Sequence, residues 1–251
     1  MIRLPAIPKP TELTSDVAQE MTALYKKEGT AVWQKTYIKK ALLEMSSNKC
    51  CYCECRLTSV SHYLEIEHFH PKSHYPDEVI VWNNLLPSCK RCNVNKGNHD
   101  TKKEPIVHPV KDHPKSHFIL RAYRFYNKTD LGQMTIEVIG LNNRERLVKK
   151  RFEIGVELIE QLENLLALCT EYDKGMSSST RRRNRIIETL RNLMREGTHQ
   201  YEFSATAATV ILHEESYAKI KFLFIKHQLW DDELIDLETE VKFCAFNVSS
   251  L

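Results

Sequence analysis

The sequence predicts an α+β protein: a zinc-stapled core of short elements, preceded by N-terminal helices and followed by a mainly helical C-terminal domain. Three observations carry this. Six of the eight cysteines, Cys50, Cys51, Cys53, Cys55, Cys89 and Cys92, fall in one stretch. Apolar residues recur at helical spacing on both sides of it. The stretch itself is irregular, rich in Cys, His, Asn and Pro, and too poor in apolar residues to build a core unaided, which argues for a metal staple. The expected parts are residues 1–47, an arm and helices; 48–105, the stapled core; and 106–251, a basic linker, a short strand and the helical domain.

Taken in order, Pro5, Pro8 and Pro10 make the N-terminus an extended arm. From Thr14 the pattern turns helical. Asp16 can cap a helix to about Lys27, and Gly29 stops it. A second helix fits 31–46, with Val32, Tyr37, Ile38, Ala41, Leu42 and Met45 close to helical spacing. "MTIEVIGL", 134–141, alternates and holds β-branched residues, so it reads as a strand ending in a Gly turn. Asn142 or Asn143 then caps a long helix from about Arg144 to Glu171, whose broad apolar face includes Phe152, Leu158, Leu162 and Leu165. "DKGMSSSTRRRN", 173–184, reads as a flexible loop, and further helices fit 181–196, 205–227 and 231–242.

Of 251 residues, 42% are hydrophobic and 27% charged, a globular composition with enough apolar residues for one or two domains. No apolar run approaches the roughly 18–20 residues that cross a bilayer. "MIRLPAIPKPTELT" lacks the apolar core and cleavage site of a signal peptide, so the expected location is the cytoplasm, without membrane contact. There thiols stay reduced, and clustered cysteines read as metal ligands before disulfides. Cys169 and Cys244 lie in apolar helical contexts and read as small buried hydrophobes. The net charge of +3 says little by itself. The basic residues between Lys102 and Lys128, and "RRRNR" at 181–185, suit a polyanion or form solvated surface.

"KCCYCECRL" and "LPSCKRCN" each contain a Cys-x-x-Cys. Such a turn aims two sulfurs at one point, and two of them complete a tetrahedron around zinc, for which thiolates are soft, suitable ligands. Cys50, Cys53, Cys89 and Cys92 are the preferred set, with Cys51 and Cys55 also available in the first turn. A closed four-sulfur site is structural, with no position open for chemistry.

Between the pairs lies "YLEIEHFHPKSH", 63–74. Ile66 would face a core while Glu67 and His68 project from a short strand or its end. Phosphodiester hydrolysis needs water activated near neutral pH, which suits an imidazole. It also needs charge neutralised on phosphate, which suits a divalent ion held by oxygens.

The order Cys-x-x-Cys, acid-His, Pro, Asn-Leu, Cys-x-x-Cys-Asn-x-x-Lys-Gly, over about residues 48–98, resembles the HNH endonuclease family. The resemblance implies a treble-clef-like ββα-metal core, two antiparallel strands and a helix clasping one catalytic Mg²⁺ or Mn²⁺. It implies His68 as general base and Glu67 as a metal ligand, where many members have Asp. Asn84 matches the asparagine that orients the base or its loop. Asn93 stands in place of the last histidine as second metal ligand, Lys96 would face phosphate, and Pro71 closes the first strand's loop. His70 stays open between an extra metal ligand, a phosphate contact and a partly exposed loop histidine. His62 and His74 read as surface, and His99 and Asp100 lie where they could extend the metal shell.

Within that family, "IEHFHPKS", "WNNLLPSCKRCNVNKGN", "EPIVHPVKDHPKSHF" and "GQMTIEVIGLNNRERLVKKR" follow one another as in the HNH subunit of Septu-type and retron-associated antiphage systems. That resemblance covers roughly residues 48–155. It implies a nuclease effector assembled on and restrained by a partner ATPase, joined in retrons by a reverse transcriptase and its RNA–DNA product. The apolar face of 144–171 and "RRRNR" either serve such partners or form core and surface. The motif does not separate DNA from RNA, transfer RNA included. A zinc-finger module that binds nucleic acid without cutting it is the competing reading from another class.

Overall fold

The computed structural model describes residues 1–57, 63–176 and 179–248. The chain forms two compact units: Met1–Phe118 with Phe125–Asn142, and Ile119–Arg124 with Asn143–Leu251. The arm, the cysteine segment and the residues just after it share the first of these units. No helix among the described residues is long and apolar enough to cross a membrane.

In the first unit the arm is extended but anchored. Met1, Ile2 and Leu4 are buried, and the Ile7 carbonyl accepts the Trp82 indole N–H at 3.0 Å. Helix α1 (Ser15–Glu28) is capped by Thr14, whose hydroxyl accepts from the Val17 N–H. Asp16, the expected cap, sits instead in the first turn, where its charge complements the helix dipole. Gly29 ends the helix at φ 69°, a left-handed backbone that a Cβ disfavours. Helix α2 (Thr36–Met45) is shorter than the expected 31–46, because residues 31–35 are spent on turns. It buries Ile38, Leu42 and Met45, one helical stripe, and packs on the second strand of the core.

That core is β1 (Leu64–His68), β2 (Leu85–Cys89) and helix α3 (Lys90–Lys96). The strands are antiparallel, with Leu64 opposite Cys89, Ile66 opposite Pro87 and His68 opposite Leu85. Pro87 lacks an N–H, which a two-stranded sheet tolerates because each strand has a free edge. Its carbonyl accepts from the Cys51 N–H at 2.8 Å and so ties the cysteine turn to the sheet. The chain continues through a one-turn helix α4 (Pro114–His117) and two short strands, β3 (Phe118–Arg121) and β4 (Arg124–Asn127).

The expected strand at 134–141 is a helix, α5 (Asp130–Ile139). Met134, Ile136 and Val138 alternate, but Thr135 and Ile139 also lie four apart on one helical face, and that face is buried. Thr129 caps the start through the Gly132 N–H, and Gly140 ends it at φ 68°. At Gly132 a Cβ would meet the His117 carbonyl oxygen at 2.3 Å, so only glycine permits this approach.

The second unit is a helical bundle. A π-helical turn at Arg144–Val148 is capped by Asn143, and α6 (Lys149–Asp173) follows. Leu158, Leu162, Leu165 and Cys169 make its buried stripe, whereas Phe152 is 52% exposed, so the apolar face is narrower than expected. Against α6 lie α7 (Thr180–Glu196), α8 (Ser204–His213) and α9 (Glu215–Lys226). Helix α10 (Asp232–Cys244) packs on α7 and α8. Residues 205–227 are thus two helices, broken where Glu214 turns to ψ 130°. The central α8 is buried on almost all sides, from Ser204 through Thr209, while α9 buries only Tyr217, Ile220 and Phe224. These different surroundings, and no Gly or Pro, mark the break. Cys169 and Cys244 are buried as expected. In "RRRNR", Arg182 pairs with Glu171, and Arg181, Arg183 and Arg185 are exposed on α7.

Candidate active site and metal centre

The first Cys-x-x-Cys forms a tight knuckle. Cys50 N–H donates to the Cys55 carbonyl at 2.9 Å and Glu54 N–H to the Cys50 carbonyl at 3.0 Å. Glu54 takes φ 67° to turn the chain, and Lys49 bridges Arg56 at its base. The second pair starts α3, where the Cys89 sulfur accepts the Cys92 N–H at 3.5 Å. The ligand atoms of Cys50, Cys53, Cys89 and Cys92 all lie within 4.8 Å of one another, and all four residues are buried. Among the described residues no other set of three or more His, Cys, Asp or Glu is grouped this closely. Four buried thiols in this arrangement can hold a metal ion such as zinc. Cys51 and Cys55, the alternatives in the first turn, are buried beside the set but outside it.

Immediately against this centre, β1 carries Glu67 and His68, which alternate to opposite faces of the strand. Glu67 is 2% exposed, and its Oε1 lies 2.6 Å from Lys96 Nζ. Burial pushes this carboxyl up to about 7, against the opposing pull of Lys96 and then Lys72. Lys96 also donates to the His68 carbonyl at 2.9 Å. The lysine expected at phosphate is therefore buried and turned inward. Glu67 Oε1 is fully buried and has no partner beyond this ion pair. Asn93 stands one turn before Lys96 on the same side of α3, half-buried, with no side-chain partner.

His68 is 4% exposed and packs edge-on against Trp33, with ring centroids 4.8 Å apart. Its Nε2 is 3.0 Å from the Val79 carbonyl oxygen. A carbonyl only accepts, so Nε2 carries the proton and Nδ1 the lone pair. Nδ1 has no hydrogen-bond partner among the described residues. Burial drives His68 down to about 4, helped by Lys72, while the Val79 bond opposes the shift. Lys72 itself extends over Trp33, with Nζ 5.1 Å from the ring centroid. Trp33 stands outside the motif, and only the tertiary structure brings it here.

Asn84 is buried and spends its whole amide on the loop between the strands. Oδ1 accepts from His70 N–H at 2.7 Å, and Nδ2 donates to the carbonyls of His70 and Glu78, each at 3.1 Å. The next residue is Val79, which sets the His68 tautomer. Asn84→Ala would orphan these groups and release that carbonyl. The expected cost is about 3 kcal/mol, in line with several buried backbone groups left unpaired. Urea unfolding measures it, and a cost below about 1 kcal/mol would mean other contacts hold the loop.

His70 is half-buried, with Nδ1 2.7 Å from Thr101 Oγ1. His99 bonds the Glu104 carbonyl at 2.7 Å. Asp100 takes the Tyr75 hydroxyl at 2.7 Å and lies 3.6 Å from His74, so it braces the loop and does not join Glu67. His62 lies outside the described residues.

A further buried imidazole, His108, sits against Phe69 with ring centroids 4.4 Å apart. Its Nδ1 accepts the N–H groups of Val110 at 3.1 Å and Lys111 at 3.3 Å. Burial, then Lys111, lower it from 6.5 to about 4. The unfolded chain thus binds this proton first, so the stability is complete above pH 6.5 and drains away as pH falls toward 4. His108→Gln is expected to lessen the loss of unfolding free energy between pH 7 and 4.5 by about 2 kcal/mol. Denaturant titrations at both pH values test this, and an unchanged difference would refute it.

No family model matches the chain. It is 43% identical over 233 residues to the Septu protein PtuB of Bacillus thuringiensis, an alignment covering 93% of this chain and 90% of that protein. It is also 30% identical over 154 residues to the Septu protein PtuB of Bacillus mycoides (strain KBAB4), covering 48% of this chain and 52% of that one. An identity of 43% carried along nine-tenths of both chains is that of one family, and this chain belongs to the Septu PtuB proteins.

Proposed function

We propose that this chain is a metal-dependent HNH endonuclease, the effector of a Septu-type antiphage complex restrained by a partner ATPase. One observation supports the chemistry above the others: a buried imidazole, His68, is held in one tautomer with its Nδ1 lone pair not spent on any hydrogen bond among the described residues, on the strand that also carries Glu67. Neutral at physiological pH, His68 takes the proton of the attacking water at Nδ1, and Val79 steadies the imidazolium at Nε2. The Glu67 carboxylate and the Asn93 amide oxygen are the oxygen donors that fit a hard divalent cation such as Mg²⁺ or Mn²⁺. When bound, such an ion would acidify water and neutralise charge on the scissile phosphate. Lys96 offsets the charge of Oε1, and Lys72, on Trp33 beside His68, supplies a cation for a phosphate oxygen.

The substrate is nucleic acid, either DNA or RNA. A reverse transcriptase with its RNA–DNA product would be the further partners of a retron-type assembly, whereas the relatives carry the Septu name. The test is to incubate the complex with plasmid and with total transfer RNA, side by side, with Mg²⁺, Mn²⁺ or neither. Cleavage of one substrate that depends on the ion is expected. A complex that protects cells yet cuts neither substrate would end this reading.

The Glu67–Lys96 pair favours a second reading, a module that binds nucleic acid without cutting it. A carboxylate already neutralised by an ammonium has less need of a cation. A chain that binds oligonucleotides and zinc but no Mn²⁺ in a titration would establish it.

A further inference from the structure

His70 is held more firmly than a loop histidine requires. The Asn84 amide grips both its backbone N–H and its carbonyl, and Phe69 and Tyr75 meet its ring edge-on. The Thr101 hydroxyl then decides its tautomer. That hydroxyl has one proton, which it donates to the Phe69 carbonyl at 2.8 Å. Toward His70 it can only accept, so Nδ1 of His70 carries the hydrogen and Nε2 carries the lone pair. Nε2 has no hydrogen-bond partner among the described residues, and the ring is half-buried.

We propose that His70 contacts the substrate directly, its Nε2 accepting a hydrogen bond from a donor on a nucleotide, a ribose 2′-hydroxyl or a base N–H. A lone pair does not bind a phosphate oxygen, which is itself an acceptor, so the tautomer removes the phosphate contact open to His70 in the sequence. Nor does His70 belong to any set of three His, Cys, Asp or Glu ligands among the described residues. Fixing an acceptor by its backbone, its far nitrogen and its ring faces is the preorganisation a recognition contact needs. The proposal rests on the reading of this site as one that takes nucleic acid.

The test separates the two nitrogens. Asparagine at 70 keeps a donor for Thr101 but reaches no farther. Glutamine at 70 places an acceptor near the position of Nε2. Binding of a fluorescein-labelled single-stranded RNA, and of DNA of the same sequence, is measured by anisotropy on the full chain without added Mg²⁺ or Mn²⁺. His70→Asn is expected to weaken binding about five- to tenfold, the effect of one hydrogen bond, while His70→Gln stays within about twofold of wild type. A loss confined to RNA identifies the 2′-hydroxyl as donor, and an equal loss on DNA identifies a base. The proposal is overturned if His70→Asn binds both as wild type does, or if it lowers Mn²⁺ affinity and nothing else. If the wild type binds neither oligonucleotide, the nucleic-acid reading itself fails, a separate outcome. Cleavage by His68→Ala with the His70→Asn binding defect intact would sink the catalytic reading and leave this contact standing.

Discussion

His68→Ala is expected to lower metal-dependent cleavage by about 10²–10⁴-fold, the usual span for removing a general base. Alanine also leaves a hole against Trp33, so inactivity alone would not separate chemistry from folding. His68→Gln resolves this. Its side-chain amide can donate to the Val79 carbonyl in place of Nε2, but it has no lone pair where Nδ1 stands. The glutamine variant should melt near the wild-type temperature, match the wild type in metal content, and lose as much activity as the alanine variant. Cleavage by either variant within about threefold of wild type would place the base elsewhere, because no general-acid–base contribution is that small.

The second large effect concerns the four-cysteine centre. Cys53→Ser is expected to release the metal and unfold the core around β1, β2 and α3, since structural zinc contributes on the order of 10 kcal/mol in small domains. The strands are short and paired only with each other, and the described residues between the cysteine pairs bring five buried polar side chains, Glu54, Glu67, His68, Asn84 and Ser88, into the core. Cys51→Ser and Cys55→Ser serve as controls and should bind zinc in the wild-type ratio. The measurements are metal content by atomic emission and near-ultraviolet circular dichroism. If Cys55→Ser lost the metal and Cys53→Ser kept it, the ligand set would be redrawn.

Much of this site was legible in the amino-acid order, because its chemistry is local. A Cys-x-x-Cys turn places two sulfurs where they can share an ion, so it announces itself, and two of them bracket what they clamp. Glu67 and His68 adjoin in sequence for the same reason. Secondary structure was less legible wherever two periodicities fit a short stretch. "MTIEVIGL" satisfies a strand's alternation and a helix's spacing alike. The cap at Thr129 and the close approach at Gly132 to the His117 carbonyl settle it as helix. The break at Glu214 has no breaker residue and follows from packing around α8.

By itself, then, the sequence determined which residues could bind a soft metal, which short strand would carry the acid and the histidine, and that the C-terminal half would be mainly helical. The tertiary structure alone decided what state those groups are in. His68 keeps its lone pair at Nδ1 because a carbonyl eleven residues away accepts from Nε2. His70 keeps its own at Nε2 because Thr101 has already spent its proton on Phe69. Lys96 turns inward because Glu67 is buried beside it. Proton positions and charge pairing depend on distances of a few ångströms between residues remote in the chain. Those distances exist only once the chain has folded.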